Sequence, residues 1–356
     1  MSELLLTNIG MLATPTGSSA RRGAEQGQIQ ILRNAWVLIS QGQIAQVGTG
    51  TPPSVSGAQV VDAGGKLVAP GLVDAHTHLI FGGWRQNELG MKLHGKSYLD
   101  IQNAGGGIQS TTNATRQATE EELTQKAAKA LDEMMRFGTT TCEAKSGYGL
   151  ALEHELKQLR RLQEEHPMDV TATFMGAHLV PAEYKQDRAE YIRLVCEEMM
   201  PAVKEQGIAK FCDVFCEADT FTVEESRQIL EAGLRHGLRP KIHADEIEAI
   251  GGSQLAGEIG AISAEHLIVC PPEGIASMAK GGVIACLLPA TSFCLGSTYA
   301  PAREMVSAGV PVAMASDFNP GSCPCLCPTG CAQRPSSSLN QRCLIKILSL
   351  KYSPVK

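Results

Sequence analysis

Gly71-Leu-Val-Asp-Ala-His-Thr-His-Leu-Ile80 reads as a short apolar strand that ends in two histidines. Residues i and i+2 of a strand point to the same side. His76 and His78 therefore face one spot, an arrangement suited to a metal, since neutral imidazole is the commonest biological metal ligand. A bare His-x-His is a weak signal. Here the run Leu67, Val68, Ala69, Leu72, Val73, the turn Pro70-Gly71 and the acid Asp74 frame it as the end of a buried strand. Two half-exposed histidines at a strand end would need no such frame.

Downstream of Pro70 the chain alternates strand, loop and helix. Strands are expected at Gly138–Ala144, Val170–His178, Phe211–Glu217, Arg239–Glu246, Ala261–His266, Gly282–Pro289 and Gly309–Asp317. Thr119-Glu-Glu-Glu122 and Thr222-Val-Glu-Glu225 are capping-box patterns that start helices. The first places Leu123, Ala127, Leu131 and Met134 on one side, and the second Ile229, Leu230 and Leu234. Further helices are expected around Leu152–Leu159, over 184–206, and near 247–259 and 302–308. Residues 82–118 read as a long polar, Gly-rich loop, and such loops are usually functional.

About eight strands over roughly 250 residues suit an α/β fold of the (β/α)8 TIM-barrel type. An open doubly wound sheet would need a Gly-rich phosphate turn after its first strand, where the histidine pair stands instead. Residues 1–68 read as short strands of a small β-sandwich, incomplete alone because a few strands cannot bury their own apolar face. The expected organisation is thus 1–68 as sandwich, 69–322 as barrel and 323–356 as an atypical tail.

In a barrel the strand C-termini meet at one face, where active sites form. Those ends supply His76, His78, Lys145, Tyr148, His178, Glu217, His243, Glu246, His266 and Asp317, while the strand interiors read as Val, Ile, Leu, Ala and Cys. A catalytic metal site wants three or four N/O ligands and one open position. His76, His78, His243 and Asp317 satisfy it. A metal can lower the pKa of bound water to about 7. Glu246 and His266 are candidates to move protons. Glu246 could instead cap the next helix, and His266 could instead hydrogen-bond a ligand.

The 356 residues are 43% apolar and 19% charged, with net charge −6. That composition describes a globular chain with a sizeable core and gives no nucleic-acid signal. No apolar run reaches membrane-spanning length, and the N-terminus lacks the basic and apolar regions of a signal peptide. Cys142, Cys196, Cys212, Cys216, Cys270, Cys286 and Cys294 are scattered in mostly apolar runs, as reduced thiols of a cytoplasmic protein are.

The strand-end pattern resembles the amidohydrolase superfamily, whose members join a (β/α)8 barrel to a β-sandwich built from both chain ends. The resemblance implies a metal-dependent hydrolase. Strand Asp213–Glu217 offers no lysine that could be carboxylated as a metal bridge, which favours the single-metal variants. Arg85, Ala104-Gly-Gly-Gly-Ile108, Lys145-Ser-Gly-Tyr-Gly149, Gly176-Ala-His178, His243-Ala-Asp-Glu246 and Ser316-Asp-Phe-Asn-Pro-Gly321 resemble one branch more closely. Its enzymes serve histidine breakdown, opening 4-imidazolone-5-propanoate with water to N-formimidoyl-L-glutamate. That resemblance implies one Zn2+ or Fe3+ per subunit, a small anionic substrate and a possible homodimer. It also implies substrate contacts from Arg85, Tyr148, His178, Glu246, Asn319, Gly321 and Ser322. Arg85 would grip the propionate. Asp317 or His266 would accept the water's proton and return one to the leaving nitrogen.

After Pro324 the text changes. Residues 325–356 hold five basic residues and no acidic one, and five of the 12 cysteines lie from Cys323 onward. The strands that would complete the sandwich are not found there. The expectation is a tail that is disordered or out of frame. A rival is a metal knuckle of Cys323, Cys325, Cys327 and Cys331, whose spacing lacks paired C-x2-C units. Rival functions are another cyclic amidase or deaminase of the superfamily, against which Arg85 and Lys145–Gly149 argue, or an impaired truncated form.

Overall fold

The computed structural model describes residues 3–96, 100–101, 104–162 and 166–327. They fall into two compact units, 3–19 with 27–71, and 20–26 with 72 onward. The expectations for 328–356, Cys331 included, lie outside the described residues.

The first unit is one sheet in the order β3-β2-β1-β4, with β5 also paired to β1. Its strands are β1 Leu4–Pro15, β2 Ile29–Ser40, β3 Gln43–Thr49, β4 Gln59–Asp62 and β5 Leu67–Val68. The apolar stretches Ile29–Leu32 and Ala35–Ile39 run on as one strand, β2. Asn34 joins them at φ +50°, a left-handed conformation that Asn adopts more readily than most residues. Ile9, Leu12, Ala35 and Val37 form the buried cluster of this sheet.

In the second unit eight strands lie side by side in parallel: β6 Leu72–Asp74, β7 Thr139–Lys145, β8 Asp169–Ala177, β9 Phe211–Cys216, β10 Arg239–Ala244, β11 Ser263–His266, β12 Ile284–Leu287 and β13 Val312–Met314. A bridge between Thr77 and Phe318 closes the ring. The His78 N–H donates to the Phe318 carbonyl (2.8 Å) and the Asp317 N–H to the His76 carbonyl (3.0 Å). The barrel is sealed by the segments that carry the expected ligands.

Both capping boxes form. Thr119 and Glu122 close the start of helix Glu120–Arg136, whose Leu123, Ala127, Leu131 and Met134 are buried as the periodicity predicts. Thr222 and Glu225 do the same for Val223–Arg235. Its Ile229 and Leu230 are buried, but Leu234 is 45% exposed. Five residues on from Ile229, it has turned about 140° away. The helix expected over 184–206 begins only at Arg188, capped by Asp187, and passes through a π-helical turn at Val195–Met199.

Residues 82–118 are not the long loop expected. They include helices Glu88–Leu93 and Gly107–Gln117. The second holds three Thr with a Ser and an Asn, poor helix formers. Its start is held from outside, with the Gly107 N–H donating to Glu88 Oε1 (2.7 Å). Thr112 and Thr115 donate back to the carbonyls of Ile108 and Thr111. A helix Pro289–Leu295 was also not expected.

The strand interiors differ from the apolar reading too. Asp74, Glu143, Lys145, Asp213, Lys241 and Glu265 are all buried. Alternate strand residues point outward to the helices or inward to the barrel axis. On β7 the outward Cys142 and Ala144 join the apolar core. Glu143 and Lys145 share the other side.

Candidate active site

His76, His78 and Asp317 bring ligating atoms within 4.8 Å of one another, as do His76, His243 and His266. Asp317 Oδ1 lies 3.4 Å from His76 Nε2 and 3.6 Å from His78 Nε2. His76 and His243 rings are 4.6 Å apart. Asp317 Oδ1 and the Nε2 atoms of His76 and His243 are buried without a hydrogen-bond partner. Each such atom costs about 1–3 kcal/mol, and bare ligating atoms in two groups joined at His76 fit a cation. Burial holds His76, His78 and His266 well below the ordinary imidazole range, in the neutral form that ligates metal.

The outer nitrogens of His76 and His243 are engaged, whereas His78 Nδ1 is buried without a hydrogen-bond partner. His76 Nδ1 bonds Glu265 Oε2 (2.8 Å) and His243 Nδ1 bonds Asp213 Oδ1 (3.1 Å). Carboxylates in this position fix ring orientation and tautomer. They are themselves paired: Lys145 Nζ is 2.8 Å from Asp213 Oδ2 and 2.7 Å from Glu143 Oε1. Lys241 Nζ is 3.2 Å from Glu265 Oε1 and 3.3 Å from Glu143 Oε1. Burial would raise Asp213, but His243 and Lys145 outweigh it and hold the carboxyl below its usual range. Burial would raise Glu265 as well, yet Lys241 and Lys145 bring it to about 2. Asp317 is pushed up to about 6 by burial, against the bond its Oδ2 accepts from Thr291 (2.6 Å).

Non-glycine residues with positive φ gather at the strand ends: Asp245 (+52°), His266 (+69°), Leu267 (+58°) and Asp317 (+56°). Such conformations cost on the order of 1–3 kcal/mol each and cluster at functional sites.

A cavity of about 660 Å³ opens above this floor, lined among others by His78, His178, His243, Glu246, His266 and Asp317. Arg85, Tyr148, Asn319 and Ser322 line it too. Arg85 donates to Thr111 Oγ1 (2.9 Å) and sits 3.3 Å from Glu88 Oε2. Gly321 is not on the lining but packs against Arg85. A Cβ there would lie 1.8 Å from the guanidinium, so any larger residue would displace Arg85. The Asn319 amide is used within its own loop, its Oδ1 accepting from Gly321 N (2.9 Å) and Ser322 N (2.6 Å). His178 stacks on His78, rings 4.9 Å apart at 14°. Its Nδ1 bonds the Gly147 carbonyl (3.0 Å), and burial pushes it down to about 3. Glu246 Oε1 lies 3.5 Å from His266 Nδ1. Burial, then Asp317 and Glu217, raise Glu246 well above the usual range.

Two strand-end residues do other work. Lys145 is buried in the barrel interior, not at the cavity. Glu217 accepts from Ile247 N (2.9 Å) and Glu248 N (3.0 Å), shaping the turn after Glu246. Sequence reasoning missed the roles of Glu143, Lys241 and Glu265. It also missed Lys92, which lines the cavity and donates to the Gly321 carbonyl (2.7 Å). Glu155 was missed as well, accepting from the N–H groups of Gly147, Gly149 and Leu150 (3.0, 2.8 and 2.8 Å) beneath Tyr148. For the interior charges a signal existed: Lys241 stands two residues before His243 and Glu143 two before Lys145, the strand period.

Among the described residues, neither ligating group includes Cys323, Cys325 or Cys327. No described helix is long and apolar enough to cross a membrane.

A model of the amidohydrolase family matches residues 59–102 and 98–329. Curated relatives named imidazolonepropionase include one from Alkaliphilus metalliredigens (strain QYMF), 51% identical over 91% of this chain and 79% of its own length. Those from Geobacillus kaustophilus (strain HTA426) and Clostridium tetani (strain Massachusetts / E88) are 50% and 47% identical, covering 91% and 90% of this chain and 79% and 78% of theirs. A triazine hydrolase variant superposes with TM-score 0.72 at 16% identity, over 98% of this chain and 81% of its own. A guanine deaminase from C. acetobutylicum with bound guanine does so with TM-score 0.67 at 15% identity, over 90% and 76%. At such identities the likeness is one of fold alone. By the family match and by its relatives, the chain belongs to the amidohydrolase family, in the group formed by the imidazolonepropionases.

Proposed function

We propose that the chain hydrolyses 4-imidazolone-5-propanoate to N-formimidoyl-L-glutamate, the ring-opening step of histidine degradation. The observation that carries this reading is a pair of buried ligating groups that share His76, one with His78 and Asp317 and one with His243 and His266, beside a cavity lined by His78, His243, Asp317 and Arg85. His76, His78, His243 and Asp317 would hold one zinc or iron ion. Bound there, the ion would polarise the ring carbonyl and make water nucleophilic at neutral pH.

The chain's own groups supply the rest. Arg85 binds the propionate by charge-assisted hydrogen bonds, fixed in direction by Thr111 and Glu88. Tyr148 and His178 hold the ring from one side. Gly147 takes the proton side of His178 Nδ1, which leaves Nε2 as an acceptor. His266, beside Glu246, takes the proton of the attacking water and passes it to the ring nitrogen that leaves. Asp317 suits that part less, because one oxygen is tied to Thr291 and the other faces two imidazoles. Asn319 orders the loop that presents Ser322, and Gly321 makes room for Arg85.

The test is turnover. Purified protein loaded with zinc, or with iron, is incubated with 4-imidazolone-5-propanoate, and product is identified by mass. A panel of cyclic amides and aminopurines runs beside it. Ring opening of the propanoate above all others is expected. Metal-loaded, folded protein that leaves it untouched, or prefers an aminopurine, overturns the reading.

A further inference from the structure

We propose that Glu143, which touches none of the four residues assigned above to the metal, is a positioning residue that sets the affinity of that centre for its cation. The inference rests on the proposed metal centre. It concerns a group two side chains removed from it.

Glu143 is the hub of a continuous buried path. From His243 the path runs through Asp213 to Lys145, then Glu143, then Lys241 and Glu265 to His76. Glu143 Oε1 alone accepts from Lys145 (2.7 Å), Lys241 (3.3 Å) and Thr173 Oγ1 (2.5 Å). Its other oxygen, Oε2, is buried with no hydrogen-bond partner. A buried carboxylate oxygen in that state is destabilising by itself, and its retention calls for a use other than packing.

Charge provides the use. Three carboxylates (Glu143, Asp213, Glu265) face two ammonium groups (Lys145, Lys241), so the path carries one net negative charge beneath the histidines. In a poorly screened interior that charge attracts a cation over several ångströms. Without it, Lys145 and Lys241 would draw more fully on Asp213 and Glu265. Those carboxylates would then polarise His243 and His76 less, and both rings would be weaker donors to metal.

The experiment measures zinc(II) binding alone, by competition with a chromophoric chelator, on folded protein checked by circular dichroism. Glu143→Gln keeps the acceptor for Thr173 and both lysines, removes the charge and puts an amide NH2 in place of the unpartnered Oε2. Its zinc Kd is expected to rise about tenfold, the lower end of the range for groups behind metal ligands, with metal-free melting close to the parent's. Lys241→Gln shifts the balance the other way and is expected to tighten zinc binding. Thr173→Val removes a neutral donor to the same oxygen and should leave the Kd unchanged. An unaltered Kd in E143Q, or equal weakening in E143Q and T173V, overturns the proposal. Should K241Q not fold, E143Q against T173V still decides. Failure of the ring-opening reading would show separately, as zinc-loaded parent protein without turnover.

Discussion

On the floor of the cavity side chains hold side chains: His76 and His243 are braced by Glu265 and Asp213, and these by Lys241 and Lys145. At the rim, backbone does most of the holding. Lys92 reaches the Gly321 carbonyl, Asn319 folds its own loop, and the Arg85 N–H donates to the Pro320 carbonyl. The floor therefore depends on charge balance in a dry interior, and the rim on backbone contacts between segments far apart in the chain. Changes to the floor should act on stability and metal binding, and changes to the rim on substrate binding.

The largest expected effect is on the floor. Lys145→Met leaves Glu143 with Lys241 and Asp213 with His243 as their remaining charged or ring partners, and breaking a buried pair from one side costs about 3–5 kcal/mol. Urea unfolding of metal-free protein should show that loss. A variant as stable as the parent would break the distinction, because the ion path would then bear no load.

Acid tests the same network. Glu265 is held near 2 in the fold. A carboxyl depressed in this way stabilises the folded state above its unfolded value and loses that contribution as pH falls from about 4.3 toward about 2. The shift corresponds to about 3 kcal/mol. Metal-free parent should lose stability over that window more steeply than Glu265→Gln, which has no proton to take up. Parallel pH profiles for the two would remove Glu265 from the account.

At the rim, Arg85→Lys keeps the charge but loses the planar fork that Thr111 and Glu88 orient. A charge-assisted bidentate contact is worth about 1.5–3 kcal/mol. The expected result is a KM for the propanoate raised about tenfold or more, with metal content and urea midpoint unchanged. A fall in metal content instead would mean that floor and rim are one unit.

The two regions were also unequally legible in the sequence. His76, His78, His243 and Asp317 could be picked out as candidate ligands because polar side chains at strand ends follow from strand period and barrel topology. The charges beneath them obey the same period, but a reading that expects apolar strands passes over them. The rim was less accessible for another reason. Helix Gly107–Gln117 has poor intrinsic propensity and depends on Glu88, 19 residues earlier, for its first hydrogen bond. Arg85 and Gly321 lie 236 positions apart, and nothing local in either segment announces that one packs on the other. Local patterning reveals what local physics fixes, and the rim is fixed by tertiary contact.

The smallest expected effect lies outside both regions and calibrates them. Thr119 caps helix Glu120–Arg136 on the barrel's outside, accepting from the Glu122 N–H while Glu122 Oε2 accepts from the Thr119 N–H. Thr119→Ala removes one of these bonds and should cost about 1 kcal/mol of stability, seen as a modest fall in the urea midpoint. Leu123, Ala127, Leu131 and Met134 still pack as before, so the strands and the ligands at their ends keep their places. Zinc affinity and KM should equal the parent's. If either moved with T119A, a loss of about 1 kcal/mol anywhere in the barrel would be enough to disturb the site, and the separate effects expected of K145M and R85K could not be told from general loosening.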